Sequence, residues 1–313
     1  MPTLIDYRRR IRSVKSTQQI TRAMKFVAAA KLRRAQEGVF AARPYAREIL
    51  RVLRSAAARM ESTAHPLLER RPEERILLVV MTGDRSLCGA FNANVIRRAT
   101  AFLRENSSKK AQILAIGKKG RNALKRGPWD FAGEYVNVSG NVDFLIAKEI
   151  AGKIAELYAT REVDAVYAVY NEFKNVMIQR LRLQKLLPID PTVLESGSPE
   201  PTGMPATSSV VNEAAMPHDL SPSGKSLVDY IYEEPVSEIF NGLVPRYLEA
   251  EVFRTLLESS AAEWAARMTA MDSATRNASE LIDKVTLEMN KIRQAGITKE
   301  LIEIVSGAAS ATS

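Results

Sequence analysis

Cysteine is almost missing from this sequence: Cys88 stands alone among 313 residues. It cannot form a disulfide within the chain, and His65 and His218 are too few to complete a Cys/His zinc site with it. Long hydrophobic runs are missing too. Ile76 to Met81 is typical of those present, so no segment is expected to span a bilayer as a helix. The amino terminus, MPTLIDYRRRIR, has a basic cluster with no apolar stretch behind it, unlike a secretory signal. These shortages predict a soluble protein of a reducing compartment.

Glycine and proline are missing selectively. Neither occurs in the 35 residues from Thr3 to Glu37, nor in the 50 from Arg246 to Ala295. Both stretches are rich in strong helix formers, so each is predicted to be a long helix. In the second, Leu257, Ala261, Trp264, Met268, Met271, Thr275, Ala278, Ile282, Val285, Met289 and Ile292 alternate spacings of four and three. A sustained 3.5-residue repeat marks a supercoiled helix. The first stretch repeats it through Tyr7, Ile11, Val14, Thr21, Ala28 and Leu32, with Gln18 and Lys25 interrupting. A second row, Ile20, Met24 and Val27, suggests a seam that drifts around the helix.

Charge is placed unevenly as well. Residues 1–60 hold 15 Lys and Arg against Asp6, Glu37 and Glu48, a net +12 that leaves −3 for the remainder. Residues 246–305 hold eight basic and ten acidic residues. Basic and mildly acidic helical ends complement each other, which predicts that they pair as an antiparallel coiled coil. Two separate helices buried in a bundle are the plainer alternative.

Between the ends, short apolar strands alternate with helices. Strands are expected at Ile76–Thr82, Gln112–Ile116, Tyr135–Val138, Ala165–Tyr170 and Val176–Leu186, and helices at Asn92–Arg104, Lys118–Lys125 and Val142–Ala159. That order implies a mostly parallel sheet covered by helices. Residues 188–225 carry seven of the 14 prolines and are expected to be a dispensable surface loop, after which SLVDYIYEEP resumes as strand. The expected organisation is a coiled-coil region at 1–65, an α/β domain at 66–245 and a coiled-coil helix at 246–313.

Catalytic constellations are hard to find. Pro222-Ser223-Gly224-Lys225-Ser226 ends like a phosphate loop, but Asp219 stands where the first glycine belongs and no strand precedes it. Gly117-Lys118-Lys119-Gly120 could offer N–H groups to an anion or simply turn a strand into a helix. Cys88 lies at the end of a strand, where α/β active sites sit, yet no histidine is near it in sequence. No catalytic residue, cofactor site or metal site is therefore expected.

Three segments resemble the gamma subunit of the F-type ATP synthase: Ile11–Gln36, Asp84–Asn92 (DRSLCGAFN) and Ala265–Ala309. They stand in the family's order, and the resemblance reaches everything but the Pro-rich loop. Ser86 departs from it where family members commonly carry glycine. The loop cannot be the redox insert of chloroplast-type members, because Cys88 lies elsewhere. The resemblance implies an antiparallel coiled coil inside a hexamer of alternating alpha and beta subunits, above a Rossmann-like domain touching the epsilon subunit and the ring of c subunits. It implies a non-catalytic rotor shaft whose asymmetry drives the three beta sites, peripheral at the cytoplasmic face of the bacterial inner membrane or an equivalent face. It places Met24 and Lys25 at an acidic beta-subunit loop and Arg267, Arg293, Gln294, Thr298 and Glu300 near other hexamer loops. Tyr230, Tyr232 and Glu233 match the segment meeting the c-ring and epsilon. A shaft turning in a bearing should carry few large apolar anchors outside. The competing reading is a basic coiled-coil protein that tracks nucleic-acid phosphates. Only Tyr7 and Phe26 are aromatic across residues 1–36, which leaves it little for stacking on bases.

Overall fold

A computed structural model describes residues 3–57, 65–140, 142–189 and 235–311. The Pro-rich residues 190–225, the 222–226 segment, and Tyr230, Tyr232 and Glu233 lie outside the described residues. The chain divides into two compact units, one of residues 1–30 with 267–313 and the other of residues 31–266.

The larger unit is built on a five-stranded sheet. In chain order β1 is Arg75–Met81, β2 Lys110–Ile116, β3 Asp130–Tyr135, β4 Ala165–Phe173 and β5 Gln179–Leu187, arranged β3-β2-β1-β4-β5. The first four run parallel and β5 pairs antiparallel to β4. β1 is central, and Ile76 through Met81 are all buried, which explains its unbroken apolar run. Helices α2 (Phe91–Glu105) and α3 (Lys118–Leu124) cover one face through Val95, Ala99, Phe102, Leu103 and Leu124. The other face is covered by α4 (Phe144–Ala159), by Leu53 and Ala56 of α1 (Leu4–Ala57), and by Phe240 to Leu256 of α5 (Val236–Ala311).

The expected strands and helices are present, with shifted ends. β3 precedes its expected position because Asn137 adopts a left-handed backbone (φ 62°) that ends extension there. As an edge strand it is only partly buried and gives a weak apolar signal. β5 starts later than expected because the Asn175 side chain accepts from the Met177 and Ile178 N–H groups and turns residues 174–178. The SLVDYIYEEP stretch expected as strand lies outside the described residues up to Glu234, and α5 begins at Val236, just after Pro235.

The long helices outrun their Gly/Pro-free windows. α1 runs through Gly38 and Pro44, and α5 includes Gly242, Pro245 and Gly296. Packing overrides propensity at Gly38, where an added Cβ would stand 3.3 Å from Leu257 Cδ2. Pro44 lies on an exposed face of its helix.

In the smaller unit α1 and α5 run antiparallel. Gln18 Nε2 donates to Ser279 Oγ (2.6 Å), the Thr21 and Thr275 hydroxyls meet at 2.8 Å, and Lys25 Nζ donates to Asp272 Oδ1 (2.6 Å). Gln18 and Lys25 therefore do not interrupt the heptad. They are seam members with polar partners, and Tyr7, Ile11, Val14, Gln18, Thr21, Lys25 and Ala28 are each at least half-buried. The drifting second row is not a seam, since Ile20 and Val27 are exposed. On α5, Met271, Ala278 and Val285 are buried, and Met268, Thr275, Ile282 and Met289 are half-buried. The row fades at Ile292, which is exposed.

Candidate functional site

The register of the helix pair defines a tip. Gln18 opposite Ser279 and Lys25 opposite Asp272 bring Leu4 level with residues near Arg293. Beyond that point α5 continues to Ala311 with no partner from α1, a single helix of about 27 Å at 1.5 Å per residue. Every residue from Lys291 to Ile302 is exposed. Arg293, Gln294, Thr298 and Glu300 thus share one free-standing segment, where Thr298 Oγ1 donates to the Gln294 carbonyl (3.0 Å).

The same segment carries Ile297, Leu301, Ile302, Ile304 and Val305, all exposed, and α1 adds Ile5, Ile20, Phe26 and Val27. The expectation of few apolar residues outside is therefore wrong. A surface this apolar on a single chain signals a partner that covers it.

The remaining candidates are placed differently. Met24 is half-buried. Lys25 is committed to Asp272, and its hydrogen bond holds that carboxyl below its usual range. Arg267 is 5% exposed, so it does not point outward as Gln294 and Thr298 do.

The second region to weigh is the crevice at the carboxyl ends of the strands, where open α/β sheets bind ligands. Here it is filled by the protein itself. The Gly83 N–H donates to Asn92 Oδ1 (2.8 Å). The Asp84 carboxylate accepts from the Lys118 N–H (3.1 Å), the Asn137 N–H (2.8 Å) and the Ser139 hydroxyl (3.0 Å). Helix α5 then closes over the turn. Ser260 Oγ donates to the Ser139 carbonyl (3.0 Å), and Glu263, 2% exposed, lies so close that a Cβ on Gly83 would stand 2.7 Å from its carboxylate.

The lysine turn has no free N–H to offer an anion. Gly117 donates to the Tyr135 carbonyl, Lys119 to the Gly83 carbonyl and Gly120 to Thr82 Oγ1 (2.8 Å). Gly117 is required there, since at φ 92° an added Cβ would collide with the Thr82 carbonyl at 2.0 Å. Cys88 is buried, with Asn92 Nδ2 at 3.1 Å from its sulfur. The left-handed residues of that turn are Leu87 and Gly89, so Ser86 stands where no glycine conformation is needed. Among the described residues no cluster of three or more His, Cys, Asp or Glu could hold a metal ion, and no helix is long and apolar enough to cross a membrane.

Sequence reasoning missed the Asp84 hub and the polar seam pairs. The signal for the pairs was present: Ser279, Thr275 and Asp272 fall opposite Gln18, Thr21 and Lys25 once the helices are set antiparallel.

Comparison with known proteins decides what these parts belong to. The family model described as ATP synthase matches residues 3–311. The ATP synthase gamma chain of Solibacter usitatus is 50% identical over 315 residues, covering 99% of this chain and 100% of that one. That of Pelotomaculum thermopropionicum is 44% identical, covering 99% of each. The chain belongs to the ATP synthase gamma chain family. Among solved structures it is similar to a chain in the central stalk and c-ring of the Tetrahymena thermophila mitochondrial ATP synthase, at TM-score 0.56 and 25% identity, covering 82% of this chain and 99% of that one. A chain of the Euglena gracilis mitochondrial ATP synthase, from a structure of its OSCP, F1 and c-ring, shares the fold at TM-score 0.62 and 22% identity, covering 98% and 94%. A gamma chain is a subunit of an enzyme complex associated with a membrane. None of these relatives supports a nucleic-acid-binding role.

Proposed function

We propose that this chain is the rotor of the ATP synthase central stalk and performs no chemistry of its own. Its partners are the hexamer of alpha and beta subunits, the epsilon subunit and the ring of c subunits, and it holds no cofactor. Ion flow through the membrane sector turns the c-ring. The chain turns with it, and its asymmetric tip carries each catalytic beta subunit in turn through different affinities for nucleotide. It associates peripherally with the cytoplasmic face of the bacterial inner membrane or the equivalent face of another energy-transducing membrane. In this division of labour residues 1–65 and 246–313 supply the shaft and 66–245 the foot, with Tyr230, Tyr232 and Glu233 at the c-ring and epsilon.

The single observation that carries this reading is the tip. An antiparallel pair that ends in one exposed helix bearing Ile297, Leu301, Ile302, Arg293, Gln294, Thr298 and Glu300 offers apolar and polar contacts to a surrounding sleeve. The closed crevice agrees with catalysis residing on other chains. Met24 and Lys25 sit farther along the pair as contacts for the acidic beta-subunit loop, and Arg267, being buried, contributes least of the named group. The test is Gln294→Ala with Thr298→Ala in the assembled complex. Both residues are exposed, so folding should be unchanged while ATP synthesis and coupled hydrolysis fall. Unchanged turnover would remove these residues from the contact.

A further inference from the structure

Helix α5 meets the β4–β5 hairpin through a cluster of largely covered charge that neither the tip nor the crevice explains. Arg254 grips Glu251 with two nitrogens, Nε at 3.0 Å and Nη2 at 2.5 Å, and reaches Glu258 through Nη1 at 2.6 Å. On the sheet side Gln184 of β5 donates to Glu251 (2.6 Å) and accepts from the Tyr170 hydroxyl of β4 (2.8 Å) and from Arg254 Nη2 (3.3 Å). The Glu258 side chain is 8% exposed, and among the described residues its Oε2 has no hydrogen-bond partner. Nearby, Glu172 of β4 is held by Arg182 of β5 at 2.9 Å. Burial pushes the Glu258 carboxyl up, and Arg254 offsets this only in part. Burial acts on Glu251 too, but Arg254 and Gln184 outweigh it and its carboxyl lies below the usual range.

Such a cluster is an expensive way to hold a helix on a sheet. Burying Glu258 and largely covering Glu251 and Arg254 costs desolvation that well-packed apolar side chains avoid, and Leu248, Val252 and Leu256 supply such packing on the same helix. What apolar contact lacks is direction, because it is insensitive to small sliding movements. A guanidinium fork does have direction. A slip of one residue, about 1.5 Å along the helix, would break every bond between Arg254 or Glu251 and Gln184.

Building on the rotor reading above, we propose that Tyr170, Gln184, Glu251, Arg254 and Glu258 form a registry lock that fixes α5 to the sheet when torque passes between foot and shaft. The five are positioning residues and touch no nucleotide. At rest the lock adds little stability; under load it prevents creep.

The experiment uses the assembled membrane complex carrying either the triple substitution Glu251→Leu, Arg254→Met, Glu258→Leu or the sheet-side pair Tyr170→Phe, Gln184→Leu. Each is scored by urea unfolding of the subunit, ATP hydrolysis with the membrane uncoupled, and protons pumped per ATP. The expected result is folding and unloaded hydrolysis close to wild type, with a severalfold fall in protons pumped per ATP in both variants. Arg254→Lys, which keeps the charge but not the fork, should show part of that fall; a purely electrostatic role would leave it at the wild-type ratio. Should the triple variant fail to fold, the sheet-side pair decides alone. A wild-type pumping ratio in the sheet-side pair overturns the lock. Absence of coupled pumping in the wild-type complex itself would contradict the rotor reading, and the lock with it.

Discussion

Truncating Met271 to alanine separates the seam from the tip. Met271 is 4% exposed and sits in the row that faces α1, one turn from the Thr21–Thr275 contact. The substitution removes Cγ, Sδ and Cε. At about 0.8 kcal/mol per buried methylene-sized group this is roughly 2.4 kcal/mol before any cavity forms. A rigid helix pair relaxes only partly into the space, so the total should fall within about 2–5 kcal/mol. The assay is urea unfolding of the purified subunit followed by helical circular dichroism, beside hydrogen exchange of α1 to localise the loss. Gln294→Ala, run in parallel, should leave the midpoint unmoved because Gln294 is an exposed residue of the helix beyond the end of α1. A loss below about 0.5 kcal/mol for Met271→Ala, the range of an ordinary surface change, would refute the seam assignment. Equal destabilisation by Gln294→Ala would refute the free tip.

Two further outcomes follow from the larger unit. Gly83→Ala puts a Cβ 2.7 Å from the Glu263 carboxylate, whose 2% exposure leaves it little room to swing aside, so it should destabilise that unit by about 1–3 kcal/mol in urea unfolding; a neutral result would mean the Glu263 side chain is not held against the turn. His65 caps a short 3₁₀ helix by accepting the Leu67 N–H at Nδ1 (3.1 Å), and burial lowers its pKa. The unfolded chain therefore binds more protons near and below pH 6.5, so this contribution is present above that pH and is lost as pH falls through the lower folded value. Midpoints measured from pH 8 to pH 5 should drop less steeply in His65→Asn, which retains a capping acceptor, and an identical slope would count against the cap.

The helix pair was legible because its information is periodic and local. Eleven positions at alternating spacings announced α5, and the charge contrast between the ends announced its partner. Strands β1 and β4, inside the sheet and buried along nearly their whole length, were legible as short, mostly apolar runs. Edge strand β3 was displaced because half-exposed strands write a weak pattern and because Asn137 ends it through a backbone conformation that composition does not reveal. Glycine and proline misled as punctuation: Gly38 remains helical because Leu257 presses on it from a residue more than 200 positions away. Gln18 and Lys25 looked like faults in the heptad until their partners across the seam were in view. Long-range pairing also hid the Asp84 hub and the Arg254 cluster, whose members are polar residues unremarkable in their own neighbourhoods. Arg267 shows the limit of carrying over a contact by position, since its side chain is buried within its own chain.

The most direct test of the central claim is to watch the chain turn. Met177, 78% exposed in the β4–β5 turn, can be changed to cysteine in a Cys88→Ala background and coupled to a bead, with the alpha and beta hexamer fixed to glass. On addition of ATP the bead should rotate in one direction with three dwell positions per turn, and Gln294→Ala with Thr298→Ala should lengthen the dwells or stop the motion. ATP turnover by the hexamer at the wild-type rate while the labelled chain stays still would contradict the account.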